Sequence, residues 1–187
     1  SRWPQWTNEI AAMNAKVKEL IPKKYKNKCQ VIGDLMADIK LNSKEISLKD
    51  KNYIALLPGS KKSKLSIGIP FFLEIADYIA KKNQNINFII PMAPTTNKSE
   101  YLFFQSERNP IAKYYSSRIK KIRKIKDSSF DYVIETSKNT KIYLINKHPC
   151  YETLKECDLA ITTVGANTAE LAAIAVPMLV VLPTQHL

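Results

Sequence analysis

The chain has 187 residues, 45% of them hydrophobic and 25% charged, with only 4 glycines and 10 prolines. These fractions exclude a wholly disordered chain, a collagen-like repeat and a Gly/Pro low-complexity tract, and the length suits one domain with a sizeable core. The net charge of +12 attracts phosphate in principle, but the basic residues are nearly all lysines, with arginine at 2, 108, 118 and 123 alone. Base-edge recognition leans on arginine, so the charge reads as a solvated surface and nucleic acid is not an expected partner.

From the N-terminus, no apolar h-region marks a signal peptide. A helix is predicted over 7–20, with Thr7 as its N-cap, a stripe of Ile10, Met13, Val17 and Leu20, and Pro22 as its stop. Residues 1–28 read as a helical segment or linker belonging to a further N-terminal domain, the chain being a fragment of a longer protein. A domain over 29–187, truncated at its C-terminus, would then open with a short strand over 30–32. The apolar run 53–57 ends at Pro58-Gly59-Ser60 and predicts a strand buried on both faces. A helix over 69–81 and a strand over 87–90 follow. Within 101–126, Ile119, Ile122 and Ile125 recur every third residue among lysines and arginines, a basic amphipathic helix pattern. Two strands over 130–135 and 141–145, a helix over 151–156, a strand over 159–163, a helix over 168–175 and a strand over 178–182 complete the pattern. Strands alternating with helices at this spacing give an α/β fold with a doubly wound parallel sheet. The longest apolar run, about 12 residues over 171–182, is too short for the roughly 20 residues of a membrane span.

In an open parallel sheet, ligands bind at the carboxyl ends of the strands. Two small-residue turns fall there, Pro58-Gly59-Ser60 and Val164-Gly165-Ala166-Asn167-Thr168, and Lys61, Lys62 and Lys64 follow the first. They read equally as a diphosphate cradle and as two ordinary βα turns with solvated lysines. No P-loop or dinucleotide glycine fingerprint is present. Glu170 has two readings. It stands where a carboxylate could accept hydrogen bonds from ribose hydroxyls, and it has the spacing of a capping box with Asn167. Cys29, Cys150 and Cys157 match no zinc spacing and read as reduced thiols of a cytoplasmic protein. His148 reads as a loop histidine, and His186 follows a strand's carboxyl end.

Three segments together are recognisable. Ile54-Ala55-Leu56-Leu57-Pro58-Gly59-Ser60 resembles the start of the nucleotide-sugar domain of the lipid-A-disaccharide synthases, whose turn reads Pro-Gly-Ser-Arg. The segment 31–38, Val-Ile-Gly-Asp-Leu-Met-Ala-Asp, is similar to that family's Val-Gly-His-Pro-Leu-x-Asp. Cys157-Asp158-Leu159, Gly165-Ala166-Asn167-Thr168-Ala169-Glu170-Leu171 and Val176-Pro177 resemble its Ala-Asp…Ser-Gly-Thr-Ala-Ala-Leu-Glu…Pro element. The ending 182–186 is similar to the Phe-Gln-His segment of the lipid II-forming N-acetylglucosaminyltransferases. The resemblance spans 29–187, is most specific in its last element and is poorest over 97–140, where a basic insertion departs from the family spacing. Lys61 replaces the family's arginine, losing a bidentate fork, and Asp34-Leu35 replaces His-Pro.

The resemblance implies the Rossmann-like half of a GT-B fold that binds a UDP-sugar donor, in an inverting hexosyltransferase acting on a lipid-linked or envelope saccharide. It implies no cofactor beyond the donor and no metal, and a location on the cytoplasmic face, peripheral to the membrane. By carry-over, Gly59, Ser60 and Lys61 contact the diphosphate. Gly165, Asn167 and Thr168 bring a helix N-terminus to it. Glu170 holds the ribose, the backbone at Leu144 and Ile145 borders the uracil, and Gln185 reaches the sugar. The general base belongs to the N-terminal domain, so the chain alone binds UDP without transferring sugar. The rival readings are a UDP-sugar 2-epimerase-like enzyme and a non-catalytic module whose 113–126 helix binds RNA or an anionic membrane.

Overall fold

Continuous apolar runs form the middle of a seven-stranded sheet. The structure, a computed structural model, describes residues 4–39, 41, 48, 52–126 and 129–184. It divides into two compact units, Ser1–Lys40 and Leu41–Leu187.

In the first unit, β1 (Ile10–Ala12) and β2 (Cys29–Val31) pair in parallel, with the short helix α1 (Ala15–Glu19) between them. Ala12, Ile21 and Cys29 are its buried centre. The helix expected over 7–20 is therefore a strand followed by a five-residue helix. Asn14, not Thr7, is the cap, its side chain accepting the Val17 N–H at 3.0 Å. The Thr7 hydroxyl instead donates to the Pro4 carbonyl at 3.3 Å. Met13, Val17 and Leu20 are exposed, so of the predicted stripe only Ile10 packs against this unit's core. The strand near residue 30 belongs to this unit's sheet rather than opening the larger domain.

The second unit's strands are β3 (Tyr53–Leu57), β4 (Asn87–Pro91), β5 (Ile119–Lys124), β6 (Tyr132–Thr136), β7 (Lys141–Ile145), β8 (Leu159–Thr163) and β9 (Met178–Val181). Their order is β5-β6-β7-β4-β3-β8-β9. β7, β4, β3, β8 and β9 run in parallel, and β5 and β6 join antiparallel at one edge. The helices are α2 (Lys62–Lys82), α3 (Lys98–Phe104), α4 (Tyr151–Lys155) and α5 (Ala166–Ala173). The expected α/β class with a Rossmann-like, mainly parallel sheet is thus observed. All five β3 residues are buried, as a central parallel strand requires. Leu56, Phe72, Leu73, Phe88, Ile90, Ile134, Ile142 and Leu144 make the main core, each worth about 1.5–3 kcal/mol for full burial.

In the second unit, α2 and the basic 113–126 segment differ from what the sequence predicts. α2 begins at Lys62, seven residues before the expected start. Gly68 is buried because α2 packs on the turn before it: a Cβ there would lie 2.7 Å from the Pro58 Cβ. Pro70 lacks the N–H that would bond the Ser66 carbonyl, and the buried Asn109 side-chain amide supplies that donor from outside at 2.7 Å. The basic pattern over 113–126 is not a helix. It contains the edge strand β5, whose register with β6 slips between Ile119 and Lys121. The bulge adds one residue, so Ile119 and Ile122 face the same side three positions apart, which mimics helical spacing. Lysines along such an edge discourage pairing with another chain.

Candidate functional site

The sheet order reverses between β3 and β8. The chain moves from β3 to β4 on one side and from β8 to β9 on the other, and right-handed crossovers then put α2 and α5 on opposite faces. A crevice opens at the carboxyl ends of such a strand pair. Both predicted glycine turns lie there. Gly59, at φ 105°, turns the chain from β3 into α2. Gly165 precedes α5 as its N-cap. Neither helix has a capping side chain or an acidic residue in its first turn, whereas α3 carries a complete Asn97–Glu100 capping box. The two turns are tied directly: the Lys64 ammonium donates to the Val164 carbonyl at 2.7 Å.

Gly59, Ser60, Asn167 and Glu170 line one cleft. Its other walls are Pro91, Met92, Ala93 and Pro94 after β4 and His148, Pro149, Cys150 and Tyr151 after β7. The capping-box reading of Glu170 fails. α5 starts at Ala166 with Gly165 as N-cap, which puts Glu170 in the second turn and leaves the cap without a side-chain hydrogen bond. The carboxylate instead faces the wall after β7. Burial, then the Glu170 charge and hydrogen bonding to it, raise the Tyr151 phenol above its ordinary pKa. Burial first, and Glu170 second, push the Cys150 thiol up to about 12. Burial does the same for Cys157. Both are protonated, unreactive thiols at neutral pH, and all three cysteines are unbridged and buried.

The other expected site residues are placed as follows. Lys61 is the N-cap of α2 and is exposed. The Thr168 hydroxyl donates to the Gly165 carbonyl at 2.7 Å, bracing the turn. Leu144 and Ile145 lie buried within β7, and their carbonyls accept the N–H groups of Asp131 at 2.9 Å and Met92 at 2.7 Å. The wall of the cleft begins instead at His148. Gln185 and His186 lie outside the described residues. Asp158, in the recognised Ala-Asp-like element, works at the opposite end of the sheet, where its carboxylate accepts the Tyr53 N–H at 3.0 Å and locks β8 to β3. Sequence reasoning missed Tyr151 and the Lys64 bridge. The bridge joins residues 100 apart in the chain and has no local signature. His148, expected only as a loop residue, lines the cleft.

Residues 18–131, more than half of the chain, match the lipid-A-disaccharide synthetase family. The chain belongs to the lipid-A-disaccharide synthetase family. The synthetase match runs from α1 through β5, so it includes the β3–α2 turn and most of the segment that sequence reading set apart as a basic insertion. Among curated relatives, the lipid-A-disaccharide synthase of Persephonella marina is 26% identical over 133 residues, covering 71% of this chain and 28% of that protein. The enzyme of that name from Psychromonas ingrahamii is 28% identical over 123 residues, covering 58% and 32%. The one from a Sulfurihydrogenibium species is 27% identical over 133 residues, covering 71% and 29%. This member of the synthetase family therefore spans about a third or less of the length of these relatives. Among the described residues, no helix is long and apolar enough to cross a membrane.

Proposed function

We propose that this chain is the donor-binding part of a UDP-sugar-dependent, inverting GT-B glycosyltransferase serving a lipid-linked or envelope saccharide acceptor. The observation that carries the reading is the convergence of two uncapped helix N-termini, α2 and α5, on one crevice that also holds Glu170. Free N–H groups at helix starts suit a diphosphate. Glu170, released from any capping duty, accepts hydrogen bonds from the ribose hydroxyls. Asn167 and Ser60 add polar contacts at the phosphates, and His148 and Pro149 border the base in place of Leu144 and Ile145.

In the transfer step, negative charge grows on the departing UDP as the bond to the sugar breaks. The helix N–H groups and the lysines of the β3–α2 turn stabilise that charge. A general base must take the proton of the acceptor hydroxyl, and we assign it to the remainder of the GT-B enzyme, together with the acceptor site. A peripheral position on an anionic, cytoplasmic membrane face belongs to the same proposal, because the acceptor carries a lipid.

The test is calorimetric titration of this chain with UDP, with GDP and a short single-stranded RNA as controls, repeated on Glu170→Ala. Saturable UDP binding that exceeds GDP binding and falls roughly tenfold or more in the variant is the expected result, since a hydrogen bond to a charged group contributes about 1.5–3 kcal/mol. Salt-sensitive RNA binding without UDP binding would overturn the reading. Sugar transfer by this chain alone would contradict the assignment of the base to another part of the enzyme.

A further inference from the structure

Lys64 stands in the first turn of α2, exposed, yet its side chain threads between the two turns that form the crevice. A Cβ added to Gly59 would lie 3.1 Å from both Cβ and Cδ of Lys64, and one added to Gly165 would lie 3.1 Å from its Nζ. The ammonium bonds the Val164 carbonyl at 2.7 Å. Helix stability does not account for this placement. A cation in the first turn of α2 and beside the start of α5 opposes both helix dipoles. The neighbouring Lys62 is paired with Glu100 at 2.8 Å, whereas Lys64 bonds only a neutral carbonyl among the contacts described for it, and that carbonyl takes one of its three N–H donors.

We propose that Lys64 is a positioning residue of the donor site. Its ammonium fixes the spacing between the β3–α2 and β8–α5 turns and offers its remaining donors to the diphosphate of a nucleoside diphosphate. The proposal rests on the donor-site reading above. It also assigns Gly59 and Gly165 a shared purpose, which is to leave the lysine side chain room to pass from one turn to the other. Gly165 has an extended backbone at φ 162°, which any residue adopts, so its lack of a side chain matters for the neighbouring ammonium rather than for the turn.

The experiment compares UDP affinity of the chain by calorimetry for the unaltered protein, Lys64→Met, Lys64→Arg and Gly165→Ala, at low and at high salt, with the melting temperature of each measured alongside. Lys64→Met is expected to weaken UDP binding roughly tenfold at low salt, with the gap narrowing as salt screens the lost charge. Lys64→Arg recovers part of the affinity because it keeps the charge. Gly165→Ala displaces the ammonium from Val164 without removing it, and weakens binding by a smaller factor with an unchanged melting temperature. UDP binding equal in the unaltered protein and in folded Lys64→Met overturns the role of Lys64 and leaves the donor site standing. Absence of UDP binding by the unaltered protein overturns both.

Discussion

Two helical glutamates, Glu74 on α2 and Glu170 on α5, show how differently one side chain can be used in this fold. Glu74 is saturated by its own chain. Its carboxylate accepts the N–H groups of Ser116 and Ser117, each at 2.7 Å, the Ser116 hydroxyl at 2.9 Å and the Lys138 ammonium at 3.0 Å. Burial pushes its pKa up, but the Ser117 N–H, Lys138 and Ser116 outweigh that and bring it down to about 2. Glu170 instead faces a phenol and a thiol whose protons it helps to retain, at the edge of an open cleft. The contrast teaches that a carboxylate whose lone pairs are filled from within the fold fastens elements together, whereas one left facing a cleft is available to a ligand.

The comparison can be broken from either side. The largest loss of stability is expected from Glu74→Ala, about 3 kcal/mol in urea unfolding, because two backbone N–H groups and an ammonium lose their acceptor. The same residue predicts a pH dependence. Its folded pKa, about 2, lies below its ordinary value of 4.5, so its contribution is complete above about pH 4.5 and is lost as the pH falls toward 2. Glu74→Gln should flatten the stability curve in that window. Gly68→Ala comes next, at about 2 kcal/mol, since its Cβ would meet the Pro58 Cβ at 2.7 Å and carbonyl oxygen at 2.8 Å. The displaced turn should also weaken UDP binding, which links a packing defect to the cleft. Asn109→Ala should cost about 1–2 kcal/mol by orphaning the Ser66 carbonyl, with UDP binding intact. Glu170→Ala should change stability least, by about 0.5 kcal/mol or less, while UDP binding falls. A stability loss matching that of Glu74→Ala would make Glu170 another fastener and end the distinction.

Much of this organisation is legible in the residues. β3, β4, β7 and β8 are short apolar runs bounded by proline, glycine or polar turns, and burial on both faces is what such runs require. The glycine turns were found for the same local reason. What misled were features whose meaning depends on a distant partner. α2 runs through Pro70 from Lys62 with the distant Asn109 supplying the donor that the proline lacks. The bulge in β5 converts a two-residue period into a three-residue one. Asn167 and Glu170 have capping-box spacing, but the N-cap lies two residues earlier, at Gly165. Within the cleft, Gly59, Ser60, Asn167 and Glu170 could be found from turn chemistry and resemblance. The Lys64–Val164 bond and the wall formed by His148 and Tyr151 exist only once β7, β4, β3 and β8 lie side by side.

The amide that completes α2 at Pro70 has an evolutionary corollary. A helix with an internal proline is one bond short, and here the missing donor is encoded at Asn109. The proline without the asparagine strands a carbonyl, and an ordinary residue at 70 would leave the asparagine only its bonds to the Phe104 carbonyl and the Ile111 N–H. Positions 70 and 109 should therefore be coupled when related chains are aligned, with asparagine retained where proline is present and held less strictly where it is not.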